Sequence, residues 1–404
     1  MNTSAVFFAQ ALLVIGIPYL LWRVLKMQSI LPLVVAQIIT GILLGPSVLG
    51  AVAPGLWRSL FDAPQLSALS GLQWLAITLF SFITGAHLRP AENDGMRRIT
   101  LWATAGGMLI PFVFGTAAGL WLTRNVPSVG SQGGNIWWTA LAIGICITVT
   151  ALPVLAAILR EMRISDSLIG RLALSCAAST DAMTWVLLAV LLIAHAGSAS
   201  LTSIIRLLTL SALYLAFCLY VVRPLLQRWV GRRTFDPEFN LMLAMLLALA
   251  SALLSELVGL HHVLGAFVAG MIWPRQHARL VVKQLEGVTT VVLLPFFFLA
   301  TGLRLSVGAI NGDVIWVIAV CMPIAIVAKI AGSAIPARLA GLDWRNAWTL
   351  GVLMQAKGLV EVVVLTVFLD AKIIGVTAFS GLLFVAIGTT ILAKPIATLL
   401  LGRA

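Results

Sequence analysis

The segment Arg171–Ile193, which reads RLALSCAASTDAMTWVLLAVLLI, holds a single carboxylate in an otherwise apolar run. Its length is that of a membrane-spanning helix, about 20 residues, and Asp181 lies near its middle. An ionised aspartate at mid-membrane costs about 3 kcal/mol. We therefore expect Asp181 to face water, to pair with a cation or to hold a proton. The alternative is a structural aspartate that is bound by neighbouring backbone or hydroxyl groups.

The composition indicates a polytopic membrane protein. Of 404 residues, 61% are hydrophobic and 10% are charged, whereas soluble domains contain about 25% charged residues. The net charge of +12 would suggest a nucleic-acid partner in a soluble protein. Here the basic residues lie in short loops and indicate orientation, so no nucleic-acid partner is expected. The four cysteines lie in apolar runs without metal-ligand spacing, so we expect buried thiols and no cofactor.

The apolar segments predict an all-α fold of about thirteen transmembrane helices. The intervening stretches are too short for a soluble domain, and the longest of them, 51–69 and 223–237, are predicted linkers. The sequence thus predicts one transmembrane domain over 1–404, with no soluble regulatory domain. The segments cover residues 5–22, 30–50, 70–88, 101–122, 136–159, 168–194, 201–222, 238–258, 261–274, 288–303, 313–337, 346–369 and 376–399.

The basic residues of the loops predict the orientation of the chain in the membrane. Loops on one side carry only Arg58, Arg124, Arg304 and Lys372. The positive-inside rule puts the opposite, basic side in the cytoplasm, with the N-terminus outside and the C-terminus inside. The basic side carries Arg23, Lys26, Arg89, Arg97, Arg98, Arg160, Arg163, Arg171, Arg223, Arg228, Arg232, Arg233, Arg275, Arg279, Lys283, Arg338, Arg345, Lys394 and Arg403.

The sequence contains a pair of similar motifs that indicates an internal repeat. The sequence FSFITGAHL at 80–88, in the third segment, resembles FFLATGLRL at 297–305, in the tenth. Segments seven apart cross the membrane in opposite directions, so we predict two inverted six-helix repeats. Such repeats are typical of secondary transporters, with the binding site at the repeat interface. The predicted division is repeat one at 5–194, a linker helix at 201–222 and repeat two at 238–400.

Two segments in corresponding positions of the repeats carry helix-breaking residues. The fifth contains Thr148-Val-Thr-Ala-Leu-Pro153, and the twelfth contains Met354-Gln355-Ala-Lys357-Gly358. Proline removes a backbone donor, and a charge with a glycine disfavours a buried helix. Paired interruptions of this kind predict crossed discontinuous helices at a transport site. An ordinary proline kink is the alternative for Pro153.

Charged residues within the apolar segments mark the candidate site. Lys329 is as costly in lipid as Asp181, so we expect the two to share one cavity. Lys357 is placed to offset the carbonyl end of a broken helix. Glu361 follows one turn later and is expected to pair with Lys357 in a mainly structural role. Glu256, near the end of the eighth segment, is expected to be a satisfied polar contact rather than a ligand.

These residues predict competition between a proton and a cation. An apolar setting favours a protonated carboxylate, whereas a nearby ammonium favours the ionised form. Asp181 would then take up either a proton or a hard monovalent cation through its oxygens. If only the loaded carrier changes its access, that competition alone gives obligate exchange. The candidate additional ligands are the oxygens of Thr148, Thr150, Ser179 and Thr180.

The motifs in their order resemble the monovalent cation:proton antiporter-2 family. The resemblance is to the branch of plant cation/proton exchangers and bacterial potassium efflux proteins, and it covers nearly the whole chain. The motifs that carry it are GILLGPSVLG at 41–50, TALPVLAAIL at 150–159, GR with TD and Trp185 over 170–185, GAFVAG at 265–270, LPFFF with TGLR over 294–304 and MQAKGLVE at 354–361.

The resemblance implies a set of residue roles. It gives Asp181 as the shared cation and proton site, Lys329 as the basic residue of the core domain, and Thr150 and Pro153 as the unwound helix. Electrogenic relatives have a second aspartate at the position of Thr180, so the resemblance implies electroneutral exchange and leaves open the partner of Lys329. It also implies a homodimer with a dimerisation scaffold and a moving core.

From the sequence we expect a transporter rather than an enzyme, exchanging potassium or sodium for protons, with potassium favoured by the resemblance. Its location would be a bacterial inner membrane. One alternative is export of a small organic cation or metabolite, because Trp185 lies one turn from Asp181 and suits a cation–π contact. Another alternative is a transport-dead membrane sensor.

Overall fold

The structure, a computed structural model, is almost entirely helical, which confirms the predicted fold class. It describes residues 3–24, 33–46, 48–61, 63–87, 94–130, 135–196, 201–231, 235–304 and 312–402. Several residues named above lie outside the described residues: Lys26, Ser47, Leu88, Arg89, Arg232, Arg233, Leu305 and Arg403.

The helices follow one another with short connections. Two further stretches, Phe217–Val222 and Thr289–Leu293, continue a helix with π geometry, and Pro127–Val129 forms one 3-10 turn. The α-helices are α1 (Thr3–Val24), α2 (Leu33–Leu43), α3 (Leu49–Val52), α4 (Pro54–Phe61), α5 (Ala63–Ala86), α6 (Asp94–Asn125), α7 (Ile136–Thr148), α8 (Leu152–Glu161), α9 (Leu168–Ala196), α10 (Leu201–Ala216), α11 (Arg223–Trp229), α12 (Pro237–Val258), α13 (His262–Ile272), α14 (Arg275–Val288), α15 (Leu294–Arg304), α16 (Gly312–Leu339), α17 (Trp344–Leu353), α18 (Leu359–Asp370) and α19 (Val376–Leu400).

Many of these helices are long and apolar enough to cross a membrane. Within the described ranges, nine such stretches occur. The shorter apolar helices α7 and α13 fall below that length. The chain is therefore a multi-pass membrane protein, while the count of thirteen spans and the division into inverted repeats stay predictions. The nine stretches lie in α1, α5, α6, α9, α10–α11, α12, α14–α15, α16 and α19.

Two predicted linkers contain helices instead of loops. Residues 51–69 include α4, and residues 223–237 begin with α11. Likewise, α14 precedes the tenth predicted segment and runs into α15 without a break. Their basic residues lower the local hydropathy, but long basic side chains extend toward water while the helical backbone continues.

The contacts divide the chain into two compact units. The first comprises Met1–Leu20, Gln37–Leu88 and Leu192–Arg304. Inside it, α5 packs closely on α13: a side chain on Gly85 would collide with the Phe267 carbonyl, and one on Gly270 with the Phe82 carbonyl. Small residues of this kind let membrane helices approach at backbone distance. The TG motif of the third segment therefore serves helix packing.

The second unit comprises Leu21–Ala36, Arg89–Leu191 and Leu305–Ala404. Its centre is α16, which packs against α6, α17 and α19, while α7 packs against α6. This unit contains every fully buried charged side chain among the described residues: Asp181, Lys329, Lys357 and Glu361.

Candidate functional site

The first break separates α7 from α8. Helix α7 ends at Thr148, and residues 149–151 are non-helical, with Val149 in an extended conformation at ψ 140°. Pro153 is the second residue of α8. A proline in the first turn loses no intrahelical hydrogen bond, because the first N–H groups of a helix have no acceptor there. The proline thus begins the second half-helix rather than kinking a continuous one.

The second break separates α17 from α18 and covers residues 354–358. Gly358 precedes α18 with φ 159° and ψ −123°. A Cβ on this glycine would come within 2.7 Å of the Val154 Cγ2 atom of α8. Glycine at this position therefore lets the second break lie directly against the half-helix that follows the first.

The two breaks are hydrogen-bonded to each other. The Ala151 N–H donates to the Ala356 carbonyl at 2.7 Å, and the Thr150 hydroxyl donates to the Met354 carbonyl at 2.9 Å. Unwound backbone inside a membrane must find such partners, because lipid offers none. The residues proposed as interruptions from the sequence therefore meet at one crossing.

Two lysines bind the carbonyl end of α7. The Lys357 Nζ donates to the carbonyls of Cys146 at 2.7 Å and Ile147 at 3.0 Å, and the Lys329 Nζ donates to the Thr148 carbonyl. Both lysine side chains are fully buried. The last carbonyls of a helix lack intrahelical donors and carry the negative end of its dipole, so two ammonium groups there are favourable.

Asp181 binds the other side of the first break, the start of α8, where the helix dipole has its positive end. Its Oδ2 accepts a hydrogen bond from the Leu152 N–H at 3.3 Å. Its Oδ1 accepts none from any residue that the structure describes. The side chain is 0% exposed, on a helix that continues for 29 residues. One oxygen is thus held by the positive end of the half-helix α8, while the lone pairs of the other remain available to a proton or a cation.

Asp181 and Lys329 therefore bind different halves of the same interrupted helix. In the described part of the chain they form no ion pair with each other, since Lys329 is bound to Thr148 and Asp181 to Leu152. The lysine whose partner the sequence left open has a backbone carbonyl as its acceptor.

Glu361 forms a buried ion pair with Lys357, with 3.3 Å between Oε2 and Nζ. It lies in the first turn of α18, where a negative charge complements the helix dipole. Gln355 ties the same break to α16, because its Nε2 donates to the carbonyls of Ala325 and Ile326 at 2.9 Å. These two side chains hold the second break in place.

The predicted hydroxyl ligands all donate to backbone carbonyls. Thr148 donates to Ile145, and Ser179 and Thr180 donate to the residue one turn earlier in α9. Such bonds use the hydroxyl proton and orient the oxygen lone pairs, which remain available to a cation. Ser179 is partly exposed, whereas the threonines are buried.

Sequence reasoning missed Thr390 of α19. Its hydroxyl accepts from the Lys357 N–H at 3.0 Å and lies 2.8 Å from the Lys357 carbonyl. It thereby fixes the peptide that carries the buried lysine. The sequence did contain an indication of this role, the pair Thr389-Thr390 inside an apolar segment. Polar side chains are costly in such a segment unless they have a polar partner.

Crossed broken helices with buried charges at the break are a construction of ion-coupled secondary transporters. The chain matches the family described as "Sodium/hydrogen exchanger, transmembrane" over residues 11–401. It belongs to this family, whose members are transporters, and the family resemblance drawn from the motifs is confirmed.

Individual relatives are similar over most of the chain. Cation/H(+) antiporter 15 of Arabidopsis thaliana is 33% identical over 378 residues, which are 91% of this chain and 45% of that protein. Na(+)/H(+) antiporter NhaS4 of Synechocystis sp. is 29% identical over 407 residues, covering 98% and 97% of the two chains. This chain therefore spans less than half the length of its plant relative and nearly all of its cyanobacterial relative.

Among solved structures, the sodium proton antiporter MjNhaP1 from Methanocaldococcus jannaschii has a similar fold. The TM-score is 0.69 at 13% identity, and the match covers 99% of this chain and 98% of that one. At this identity the likeness concerns the fold alone, and it agrees with the polytopic helical architecture predicted from the sequence.

Proposed function

We propose that the chain exchanges a monovalent cation, potassium or sodium, for protons, with Asp181 as the shared site. The observation that carries this proposal is the asymmetry of the Asp181 carboxylate. One oxygen is held by the Leu152 N–H, and the other has no hydrogen-bond partner in the described residues. A fully buried carboxylate with one committed oxygen binds a proton or a hard cation at the other, and the first to bind excludes the second.

Competition for one carboxylate supports electroneutral exchange. One proton or one monovalent cation at Asp181 adds the same single charge. The loaded site then carries an equal net charge in both directions of transport, so we propose a one-for-one exchange.

The lysines are proposed to keep the break formed in both loaded states. Lys329 and Lys357 neutralise the carbonyl end of α7 whether or not a cation is bound. The remaining ligands of the cation would be oxygens of Thr148, Thr150, Ser179 and Thr180. Hydroxyl and carbonyl oxygens suit hard monovalent cations, which bind oxygen rather than sulfur or nitrogen.

Proteoliposomes with an imposed pH gradient test this proposal. Adding potassium or sodium should dissipate the gradient, and Asp181→Asn should reduce that flux to the level of protein-free vesicles. The matched control is Asp343→Asn, because Asp343 caps α17 and asparagine caps a helix equally well. Equal thermal unfolding of both variants would establish their folding. Cation-dependent proton flux that survives in Asp181→Asn would overturn the proposed site.

A second candidate substrate is a small organic cation. Trp185, one turn beyond Asp181 on α9, is 1% exposed, and a buried indole is the strongest cation–π partner among side chains. Comparing potassium, sodium and an organic ammonium ion in the same vesicles separates the candidates. If the organic ion alone dissipates the pH gradient, the substrate is an organic cation rather than a metal ion.

The membrane arrangement is also proposed. We place the chain in a bacterial inner membrane as a homodimer, with the N-terminus outside, the C-terminus in the cytoplasm and the inverted repeats at 5–194 and 238–400. Labelling of single cysteines in intact cells with a membrane-impermeant reagent tests the orientation. Native mass spectrometry of the protein released from detergent tests the dimer.

A further inference from the structure

A group of small polar side chains lies between α6, α9 and α16, away from the helix breaks. We call Thr100, Thr104, Cys176 and Ser333 the hydroxyl cluster. The Cys176 thiol donates to the Thr100 carbonyl at 3.9 Å and faces the Thr104 side chain. Across from it, the Ser333 hydroxyl lies against α6 so closely that a Cβ on Gly107 would overlap it. Gly107 follows Thr104 by three residues on α6, on the same face of the helix, so the three helices bring these side chains to neighbouring positions.

The hydroxyl cluster is buried and incompletely hydrogen-bonded. Its members are at most 7% exposed. The Thr100 and Thr104 hydroxyls interact with the Cys176 thiol, which is a weak hydrogen-bonding group. Beyond that thiol, the hydroxyl oxygens of Thr100, Thr104 and Ser333 have no hydrogen-bond partner within the described ranges. Leaving a buried hydroxyl unsatisfied costs about 1–3 kcal/mol, and proteins normally satisfy such groups with ordered water. Several hydroxyls together supply the two to four polar partners that one buried water needs.

The position of the hydroxyl cluster links the predicted cytoplasmic side to the charged site. Thr100 follows Arg98 by two residues, and Cys176 and Ser333 each lie five residues from a basic residue near the end of their helix, Arg171 in α9 and Arg338 in α16. From there every helix continues inward. Lys329 is one turn deeper than Ser333 on α16, and Thr180, beside Asp181, is one turn deeper than Cys176 on α9. One turn is about 5.4 Å of helix.

We infer that the hydroxyl cluster binds ordered water and forms a proton route between the cytoplasmic ends of α6, α9 and α16 and the Asp181 site. The inference rests on the proposed function and adds to it that protons reach Asp181 by a path the cation does not use. The charged and titratable groups along this path are Arg97 and Arg98 at its entrance, then Cys176, Lys329 and Asp181.

The transfer is balanced in protons. A hydronium ion at the cytoplasmic entrance gives one proton to the first water, and each water or hydroxyl then accepts one proton and passes one on. The last proton binds the Asp181 carboxylate as the cation leaves toward the same, cytoplasmic side, and a water molecule remains at the entrance. When the cation is exported, the same transfers run in reverse, and the proton leaves Asp181 toward the cytoplasm as the cation binds. No member of the hydroxyl cluster changes its own protonation state over the complete step.

Transport kinetics test the route. Thr104→Val and Ser333→Ala remove the hydroxyls at nearly constant volume, and Thr104→Ser retains one. We expect the valine and alanine variants to lower the maximal exchange rate about fivefold, as for the loss of one hydrogen bond. Their half-saturating cation concentration should stay unchanged, while their solvent deuterium isotope effect should rise. Thr104→Ser should restore the rate.

Thr123→Val is the matched control, because the Thr123 hydroxyl of α6 already donates to the Gly119 carbonyl. Unchanged rates in Thr104→Val and Ser333→Ala would overturn the route. A parallel rise in half-saturating cation concentration would also overturn it, because the hydroxyls would then act on the cation. Either result leaves the proposed antiport intact as long as Asp181→Asn still abolishes it.

Hydration is measured independently by X-ray radiolytic labelling, in which hydroxyl radicals form only where water is present. Cys176 and Cys321 are both 0% exposed, so Cys321 serves as a reference thiol of equal burial outside the hydroxyl cluster. We expect Cys176 to be oxidised faster than Cys321, and the difference to shrink in Thr104→Val. Equal oxidation rates for the two thiols in the unmodified protein would refute water in the hydroxyl cluster.

Discussion

Lys357 is a buried cation with partners on two sides. It donates to two carbonyls at the end of α7 and is paired with Glu361 at 3.3 Å. Removing one partner of a buried ion pair leaves an uncompensated charge and destabilises a protein by about 3–5 kcal/mol, whereas replacing both partners by apolar groups is often nearly neutral. We therefore expect the effects of removing Lys357 and Glu361 on stability to be strongly non-additive.

We predict that Lys357→Met destabilises the protein by about 3 kcal/mol. The double variant Lys357→Met/Glu361→Leu should recover part of this loss. The recovery stays partial because the carbonyls of Cys146 and Ile147 still lack their donor. Thermal unfolding in detergent measures both effects. A double variant as unstable as the sum of its single substitutions would contradict the buried pair.

At the scale of elements, the decisive feature is the contact between the second break and α8. Gly358 lies against Val154, and the Thr390 hydroxyl fixes the adjacent Lys357 peptide. A valine side chain is stiff, so an added methyl group here displaces backbone rather than a flexible tip.

We predict that Gly358→Ala lowers stability by about 1–3 kcal/mol, the usual range for overpacking, and slows exchange because the crossing is displaced. Adding Val154→Ala to Gly358→Ala should restore part of both. Gly16→Ala in α1, where a Cβ meets nothing within 4 Å, is the matched control. Thermal unfolding and gradient dissipation measure the outcome, and a Gly358→Ala protein that behaves like the Gly16→Ala control would refute the close contact.

Much of this architecture could be predicted from the sequence. The apolar segments fixed the helical class, and Pro153 with Lys357-Gly358 located both breaks, because proline, charge and glycine act locally. The local pairing of Lys357 with Glu361 was expected from their spacing and is present, whereas partners that are distant in the sequence could not be predicted. The Thr148 carbonyl lies 181 positions from Lys329, and no periodicity specifies such a pairing. The helical continuation through α14 was missed because its basic residues lower hydropathy without breaking the backbone.

At the scale of the whole molecule, the net charge of the loaded site determines how transport responds to voltage. A carrier that moves one net charge gains about 2.3 kcal/mol of driving force per 100 mV. Equal charge in the proton-loaded and cation-loaded states removes this term, because one proton and one monovalent cation each add a single positive charge at Asp181.

We predict that sodium-dependent dissipation of a pH gradient is unaffected by a membrane potential that is set with a thiocyanate gradient, so that no second candidate substrate is present. In the variant Thr180→Asp, which adds a second buried carboxylate next to Asp181, exchange should become voltage-sensitive if the new group is ionised in only one loaded state. Voltage dependence in the unmodified protein would exclude one-for-one exchange and leave the role of Asp181 to be judged by Asp181→Asn.

The bond between Ala151 and Ala356 joins main chain to main chain. No side chain takes part in this hydrogen bond, so substitution of either residue leaves the main-chain donor and acceptor in place. Proline at 151 is the exception, because it has no amide hydrogen. The donor and acceptor of this junction thus survive replacement by other small residues, and a library of all substitutions at 151 should lose proline from the transport-competent pool even where those small residues persist.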